Sequence, residues 1–499
     1  MEKSQSNLRF VVAGLLLGIF MSSMDNTIVA TAIGTIVADL GGLDQFVWVT
    51  SAYMVAVMAG MPIFGKLSDM YGRKKFYIFG LFIFLIGSIL CGTAQSIVQL
   101  SIYRAIQGIG GGALMPIAFT IVFDIFPIEQ RGKMTGLLGA VFGFSSVLGP
   151  LLGAYITENI SWHWIFYVNV PIGILSLIFV LKAYKENHPT VKQHIDWWGA
   201  ITLVISVVSL MFALELGGKK YQWDSPQIIL LFVSFICFFL IFLFVERKAK
   251  DPIISFWMFQ RRIFAASQVI TLLYGATFVI LTVFIPIFVQ AVYGGTATNA
   301  GLILTPMMLG SVAGSAIGGV FQTKLSYRKL MLVSVIAFAV GMYLLSTMTP
   351  DTSRFYLTMY MILAGFGVGF SFSLLPSSSI DNIESKFRGS ATSTNSFFRS
   401  LGMTIGVTIF GAIQSKSFMN QLKDAFAEMG KNPLAKIGDP STIFRPEIRP
   451  KIPQQILDKI VLAMSSSITQ LFLYALIPIA LAFIAILLLG SRKVEPEDR

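Results

Sequence analysis

The sequence predicts an all-α polytopic membrane protein: about fourteen transmembrane helices, arranged as two six-helix bundles plus two linking helices. Three observations lead there. The chain of 499 residues is 55% hydrophobic and only 12% charged, with a mean hydropathy of +0.75, whereas a soluble domain carries about 25% charged residues. It divides into apolar stretches of about 20 residues, the length that spans about 30 Å of hydrocarbon as a helix. Its basic turn signatures recur at a nearly constant offset. This composition excludes most soluble-enzyme and nucleic-acid readings. The formal charge of +12 is first a topology signal rather than a pointer to anionic partners. The two cysteines, Cys91 and Cys237, lie inside apolar runs and offer neither a disulfide framework nor a metal spacing. No metal or cofactor is expected.

Each span is bounded by a charge or a Pro/Gly-rich break. The first, 10–36, follows Arg9 and lacks a small-residue cleavage site, so it reads as an uncleaved helix rather than a signal peptide. Spans 46–65 and 76–95 are parted by Arg73, Lys74 and Lys75; span 97–123 stops at Asp124; span 134–157 begins beyond Arg131 and Lys133. Span 163–182 ends at Lys182, span 197–216 follows Asp196, and span 226–246 runs from Pro226 to Arg247. Span 264–292 follows Arg261 and Arg262, span 298–321 ends before Lys324, and span 331–349 follows Arg328 and Lys329. Span 355–379 follows Arg354, and spans 394–415 and 467–490 flank the long segment 416–466.

An even number of helices places both termini on one side. With that side cytoplasmic, the inside segments hold 24 Lys and Arg and the short outside loops only three, Lys219, Lys220 and Arg354. The positive-inside rule therefore predicts cytoplasmic termini. The eight basic residues of 416–466 do not count, because long loops cross largely regardless of charge. That segment, with Pro433, Pro440, Pro446, Pro450 and Pro453 and an amphipathic stretch at 456–463, reads as an extracellular connector or a cap on the outer mouth.

MYGRKK at 70–75 resembles LSYRKL at 325–330, and RGKMTG at 131–136 resembles RGSATS at 388–393, at offsets of 255 and 257. This duplication maps helices 1–6 onto 9–14. It divides the chain into a first bundle at 1–182, a linker with two extra helices at 183–262, and a second bundle at 263–499. Parallel six-helix repeats around a central site are a transporter plan, although basic, glycine-containing turns look alike in many bundles.

Asp25 stands about sixteen residues, or roughly 24 Å, into the first span. A carboxylate there is unfavourable unless protonated, paired or facing a wet cavity. It can carry a proton, offer a counter-charge to a cationic substrate, or simply pair another helix. Arg104, about 10 Å from the outer start of its helix, lies at similar depth. Pairing across the bundle interior, directly or through Gln107, is expected; outward snorkelling is the alternative. GIGGGA at 108–113 formally fits a dinucleotide fingerprint, but it sits in an apolar span with no preceding strand, so its glycines read as close helix contacts. GFSSVLGPLLGA at 143–154 reads likewise as small-residue packing with a kink at Pro150. In GKLSDMYGRKK at 65–75, Asp69 can approach a helix N-terminus and Arg73 a carboxylate such as Asp124, making a breakable latch, although such a charge pattern is more often only a topogenic basic turn. His163, His188, His194, Glu158, Glu215 and Glu246 fall at helix ends or in loops, where interfacial placement suffices.

Taken together these motifs resemble the major facilitator superfamily, specifically the fourteen-helix drug:proton antiporters of the QacA/EmrB type. The resemblance covers nearly the whole chain. It implies that Gly65, Asp69, Gly72 and Arg73 form a conformational latch, that Arg104 in YRAIQGIGGG takes part in proton coupling, and that Gly143, Gly149, Pro150 and Gly153 form the antiporter motif. MDNTIVATAIGTI resembles the helix 1 motif in which the acid equivalent to Asp25 is linked to protons and cationic substrates. WHWIFYVNVPIG at 162–173 resembles the same branch. The departure is that the second half lacks counterparts of Asp25 and Arg104 and has no mid-span acid, which puts divalent-cation export in doubt. The expected function is proton-coupled export of lipophilic, cationic drugs or dyes by alternating access. The protein is expected to be a non-enzymatic, multi-pass component of the plasma membrane that acts as a monomer. An exporter or flippase of an endogenous lipid, fatty acid or siderophore is the alternative, and a nontransporting receptor a third reading.

Overall fold

A computed structural model describes residues 2–41, 46–186, 194–218, 220–294, 302–427 and 453–490. Among these residues the regular structure is helical, apart from one isolated bridge between Gly217 and Tyr221. The first six spans are α1 (Glu2–Leu40), α2 (Val47–Tyr71), α3 (Arg73–Cys91), α4 (Ile97–Ile125), α5 (Ile128–Asn159) and α6, in two pieces, Trp164–Tyr167 and Asn169–Ala183. The linking pair is α7 (Trp197–Leu216) and α8 (Pro226–Lys248). The last six are α9 (Arg262–Ala291), α10 (Thr305–Phe321), α11 (Tyr327–Ser346), α12 (Arg354–Ser379), α13 (Arg388–Ala427) and α14, in two pieces, Gln454–Tyr474 and Leu476–Leu487. Thirteen spans are long and apolar enough to cross a bilayer, and α10, at 17 residues, is a shorter apolar helix.

Local chemistry sets the breaks. Ser96, Asp196 and Ser225 accept hydrogen bonds from the backbone N–H of the third residue of α4, α7 and α8 respectively, filling donors that a helix start leaves open. Gly72, at φ +106, joins α2 to α3 in a conformation that L side chains rarely adopt. Pro62, Pro116, Pro150, Pro286 and Pro376 lie within α2, α4, α5, α9 and α12.

In lipid there is little hydrophobic drive between helices, so close packing has to hold them. The run GIGGGA does this in α4: a Cβ on Gly110 would lie 2.5 Å from the Gly80 carbonyl oxygen of α3, and one on Gly112 2.7 Å from the Val57 carbonyl oxygen of α2. Leu15, Tyr77, Phe84, Leu114 and Phe123 build the first bundle's core, and Ile280, Met331, Phe338, Val368 and Phe472 the second's. The linking pair packs on the first bundle, with Leu203, Val207, Met211 and Phe242 against Val55, Met58 and Met61.

Several helices outrun their apolar stretches, because hydropathy marks the lipid-embedded part while backbone hydrogen bonding continues to the next breaker. The difference is largest at 416–466. There α13 continues to Ala427 and α14 begins at Gln454, so the segment is partly helical rather than one loop. The amphipathic stretch 456–463 forms the first turns of α14. Leu422 and Ile460 are buried, and Gln414 bonds Ser467 at 3.2 Å. Residues 428–452, with Pro433, Pro440, Pro446 and Pro450, lie outside the described residues, as do 298–301 at the start of the tenth expected span.

Candidate functional site

The first bundle encloses a charge pair. Asp25 on α1 and Arg104 on α4 are both fully buried and form an ion pair. Asp25 Oδ2 accepts from the Arg104 guanidinium, while Oδ1 accepts from Gln107 Nε2 at 2.8 Å and Asn169 Nδ2 at 2.7 Å. Arg104 also donates to the Gln107 side-chain oxygen at 2.6 Å and through Nε to the Val49 carbonyl at 3.2 Å. Its guanidinium lies 4.1 Å from the centre of the Tyr53 ring, and Tyr53 donates to the Ser22 carbonyl. Asn169 is tied to Ser88 Oγ at 3.0 Å, and its own side-chain oxygen is buried without a partner. Helical spacing explains the assembly: Arg104 and Gln107, three residues apart, share one face of α4.

A second cluster joins the bundles at the end bearing the basic turns. Asp69 Oδ1 accepts from the backbone N–H of Gly389 at 2.8 Å, and Oδ2 from that of Ser390 at 2.7 Å and from Ser390 Oγ at 3.1 Å. These are the first amides of α13, so the carboxylate of one bundle caps a helix of the other. Arg73 bonds Asp69 at 3.3 Å and forms an ion pair with Asp124, which also faces Arg388 at 3.5 Å. Gly65 lets α2 approach: its Cβ would lie 2.7 Å from the Gly389 carbonyl oxygen. A second such crossing lies where Gly132 of α5 stands backbone to backbone against Gly319 of α10. Only the first copy of the turn carries a carboxylate. Thr120 meets Thr392 at 2.6 Å, and the core of the first bundle runs on into Phe264, Ile380, Ile383 and Ala391. The basic-turn end is closed.

The glycines of the third motif divide between two tasks. Gly149 and Gly153 bring α5 against α1, where a Cβ would stand 3.1 Å from the Met24 carbonyl oxygen and 2.7 Å from that of Ile28. Gly143 faces across to the second bundle, where a Cβ would stand 2.7 Å from Met308 Sδ of α10. Pro150 lies inside α5 beside them.

Thus Asp25, Arg104 and Gln107 meet in one network, Gly65, Asp69, Arg73 and Asp124 in another, with Gly72 at the α2–α3 turn facing Glu186, and Gly149 and Gly153 at the α1/α5 seam. Sequence reasoning quoted Asn169 inside WHWIFYVNVPIG without assigning it. An amide within an apolar span is the signal that could have found it. Glu186, which accepts from the backbone N–H groups of Arg73 and Lys74 at the start of α3, was also missed. Glu246 is not merely interfacial: it is 2% exposed, and Oε1 accepts from the Ile253 N–H at 3.1 Å. His188 lies outside the described residues. Among the described residues no group of three or more His, Cys, Asp or Glu could hold a metal.

The Major Facilitator Superfamily profile matches residues 15–259 and 197–407. The chain belongs to the major facilitator superfamily. This transporter is 66% identical over 495 residues to Multidrug resistance protein 3 of Bacillus subtilis (strain 168), covering 98% of this chain and 97% of that protein. It is 38% identical over 423 residues to Multidrug transporter protein MdtP of the same organism, covering 85% and 78% respectively. Among solved structures it resembles the proton:xylose symporter XylE bound to 6-bromo-6-deoxy-D-glucose, with a TM-score of 0.64, 12% identity and coverage of 99% and 98%. At that identity the likeness is one of fold. The transporter is a multi-pass membrane protein of a non-enzymatic class.

Proposed function

We propose that this transporter exports lipophilic, cationic drugs or dyes in exchange for protons, as a fourteen-helix drug:proton antiporter of the QacA/EmrB type, working as a monomer in the plasma membrane with both termini cytoplasmic. The observation that carries this reading is the fully buried Asp25, which accepts hydrogen bonds from Arg104, Gln107 and Asn169. A carboxylate so enclosed has two stable ways to exist: ionised against Arg104, or protonated and neutral. The orphaned Asn169 oxygen supports the second state, because rotating the amide turns a donor to the carboxylate into an acceptor for its proton. Proton uptake therefore releases Arg104 and reorganises α1, α4 and α6 together.

With the basic turns cytoplasmic, the closed latch corresponds to a state whose cavity faces outward. In this state drug leaves and a proton enters. Opening requires Asp69 to leave the N-terminus of α13 and the Gly65 and Gly132 crossings to part. Gly143, Gly149, Pro150 and Gly153 let α5 pack against α1 and α10 while the bundles rock. The major facilitator fold supplies the parallel bundles, and the relatives named for multidrug resistance support drug-like substrates.

The test is proton-gradient-driven uptake of a fluorescent lipophilic cation into inside-out vesicles, native against Asp25→Asn at matched expression. Uptake in the native protein and its loss in the variant is the expected result. Undiminished coupled uptake in the variant would remove Asp25 as the proton carrier.

A further inference from the structure

The second bundle holds a cation that the coupling network does not use. Arg399 on α13 is 8% exposed. Its guanidinium donates to Ser371 Oγ at 3.4 Å and to the Ser371 carbonyl at 3.0 Å, and lies 4.7 Å from the centre of the Phe372 ring on α12. All three partners are neutral. Among the described residues no carboxylate pairs with it, and the acids of α9–α14, Asp351, Asp381, Glu384, Asp424 and Asp458, lie near or beyond helix ends. The remaining carboxylate at membrane depth, Asp25, is held by Arg104 in the other bundle. A buried guanidinium without a counter-charge is unfavourable within a membrane, so its lack of one among the described residues points to a bound anion.

The surroundings have the same bias towards donors. Asn395, one turn before Arg399 on α13, donates to Thr271 at 2.8 Å and to the Gln268 side-chain oxygen at 3.4 Å. Gln268 is 1% exposed, and its Nε2 has no partner. Ser315 of α10 is buried with an unpartnered hydroxyl. Ser315 and Phe372 meet at Gly139 of α5, whose Cβ would stand 3.8 Å from Ser315 Oγ and 3.0 Å from Phe372 Cβ. This face of the second bundle therefore lies at the seam with the first, where a substrate passes between bundles. A cation, spare hydroxyl and amide donors and an aromatic ring face are together complementary to a carboxylate attached to a flat apolar body.

We infer that Arg399, flanked by Ser371 and Phe372, forms an anion subsite that takes the carboxylate of an amphiphilic substrate, so that zwitterionic as well as cationic compounds are carried. This rests on the transport reading proposed above and deepens it: the first bundle handles the proton, and the second recognises a carboxylate.

The test uses two fluorescent probes that differ only in that group, a free-acid rhodamine, zwitterionic at neutral pH, and its methyl ester, a net cation. Binding to the purified full-length protein is read by fluorescence anisotropy. Arg399→Gln is expected to weaken the free acid by about thirtyfold, as for truncation of one member of a buried charge pair, and to leave the ester within twofold. Arg399→Lys should recover part of the free-acid affinity. An equal loss for both dyes, no loss for either, or failure of the native protein to bind the free acid would overturn the subsite. If Arg399→Gln does not elute as a single folded species, Ser371→Ala serves instead, with the same requirement that only the free acid be affected. Failure of the transport reading has a different signature: no gradient-driven uptake of the ester by the native protein, with the dye-selective effect on binding still present.

Discussion

Replacing Asp69 by Asn tests whether the closed end is held by charge. The side chain keeps its shape and burial but loses the charge that faces the Gly389 and Ser390 amides at 2.8 and 2.7 Å and Arg73 at 3.3 Å. Hydrogen bonds to a charged group contribute about 1.5–3 kcal/mol against about 0.5–1.5 for neutral ones. An anion at a partly buried helix N-terminus adds up to about 2 kcal/mol. One amide hydrogen of Asn would moreover point at a backbone donor. The closed state should thus lose about 3 kcal/mol relative to the open one, roughly a hundredfold change in their ratio. Spin labels at Lys75→Cys and Lys324→Cys, both exposed on opposite bundles, in a Cys237→Ser background that removes the exposed thiol, report the separation at this end by pulsed dipolar spectroscopy. The native protein should give mainly the short distance and Asp69→Asn a large long-distance population. An unchanged distribution would refute the claim that the Asp69 carboxylate of α2, held at the start of α13, keeps this end shut.

Two further outcomes are expected. Asn169→Ala removes both a donor to Asp25 and the bond to Ser88; gradient-driven uptake should fall about tenfold or more, in line with about 1.5–3 kcal/mol for a hydrogen bond to a charged group, while dye binding stays within threefold. Equal losses in both would make Asn169 a general structural residue. Gly153→Val forces side-chain atoms towards the Ile28 carbonyl, already 2.7 Å from a Cβ, and should lower stability by about 1–3 kcal/mol. Gly34→Ala, with nothing within 4 Å, should leave the melting midpoint in detergent unchanged; similar shifts for the two variants would reject the close approach of α1 and α5.

Much of the fold was legible because the bilayer imposes a coarse rule. A helix must be about 20 apolar residues long to cross, so the spans, the linking pair and the repeat could be marked from hydropathy and basic turns. Where hydropathy stops being informative, the sequence reading stopped too. Nothing in KSFMNQLKDAFA marks lipid, and its helical continuation as α13 depends on Leu422 packing among the buried residues of the second bundle, with Ile460 of α14 in the same cluster. The charges at membrane depth were equally visible, because each is an exception in an apolar run. Their partners were not: Asn169 is 144 residues from Asp25, and ordinary in composition.

The sequence by itself therefore determined that this is a helical membrane transporter with Asp25 and Arg104 set at membrane depth, since the unfavourable transfer of charge into hydrocarbon follows from residue type and position alone. Only the tertiary structure decided that Arg104 meets a carboxylate while Arg399, among the described residues, does not, and that Asp69 reaches the first amides of α13, 320 residues away. Those facts depend on which helix faces lie side by side, and contacts a few ångströms across are set by packing between segments far apart in the chain.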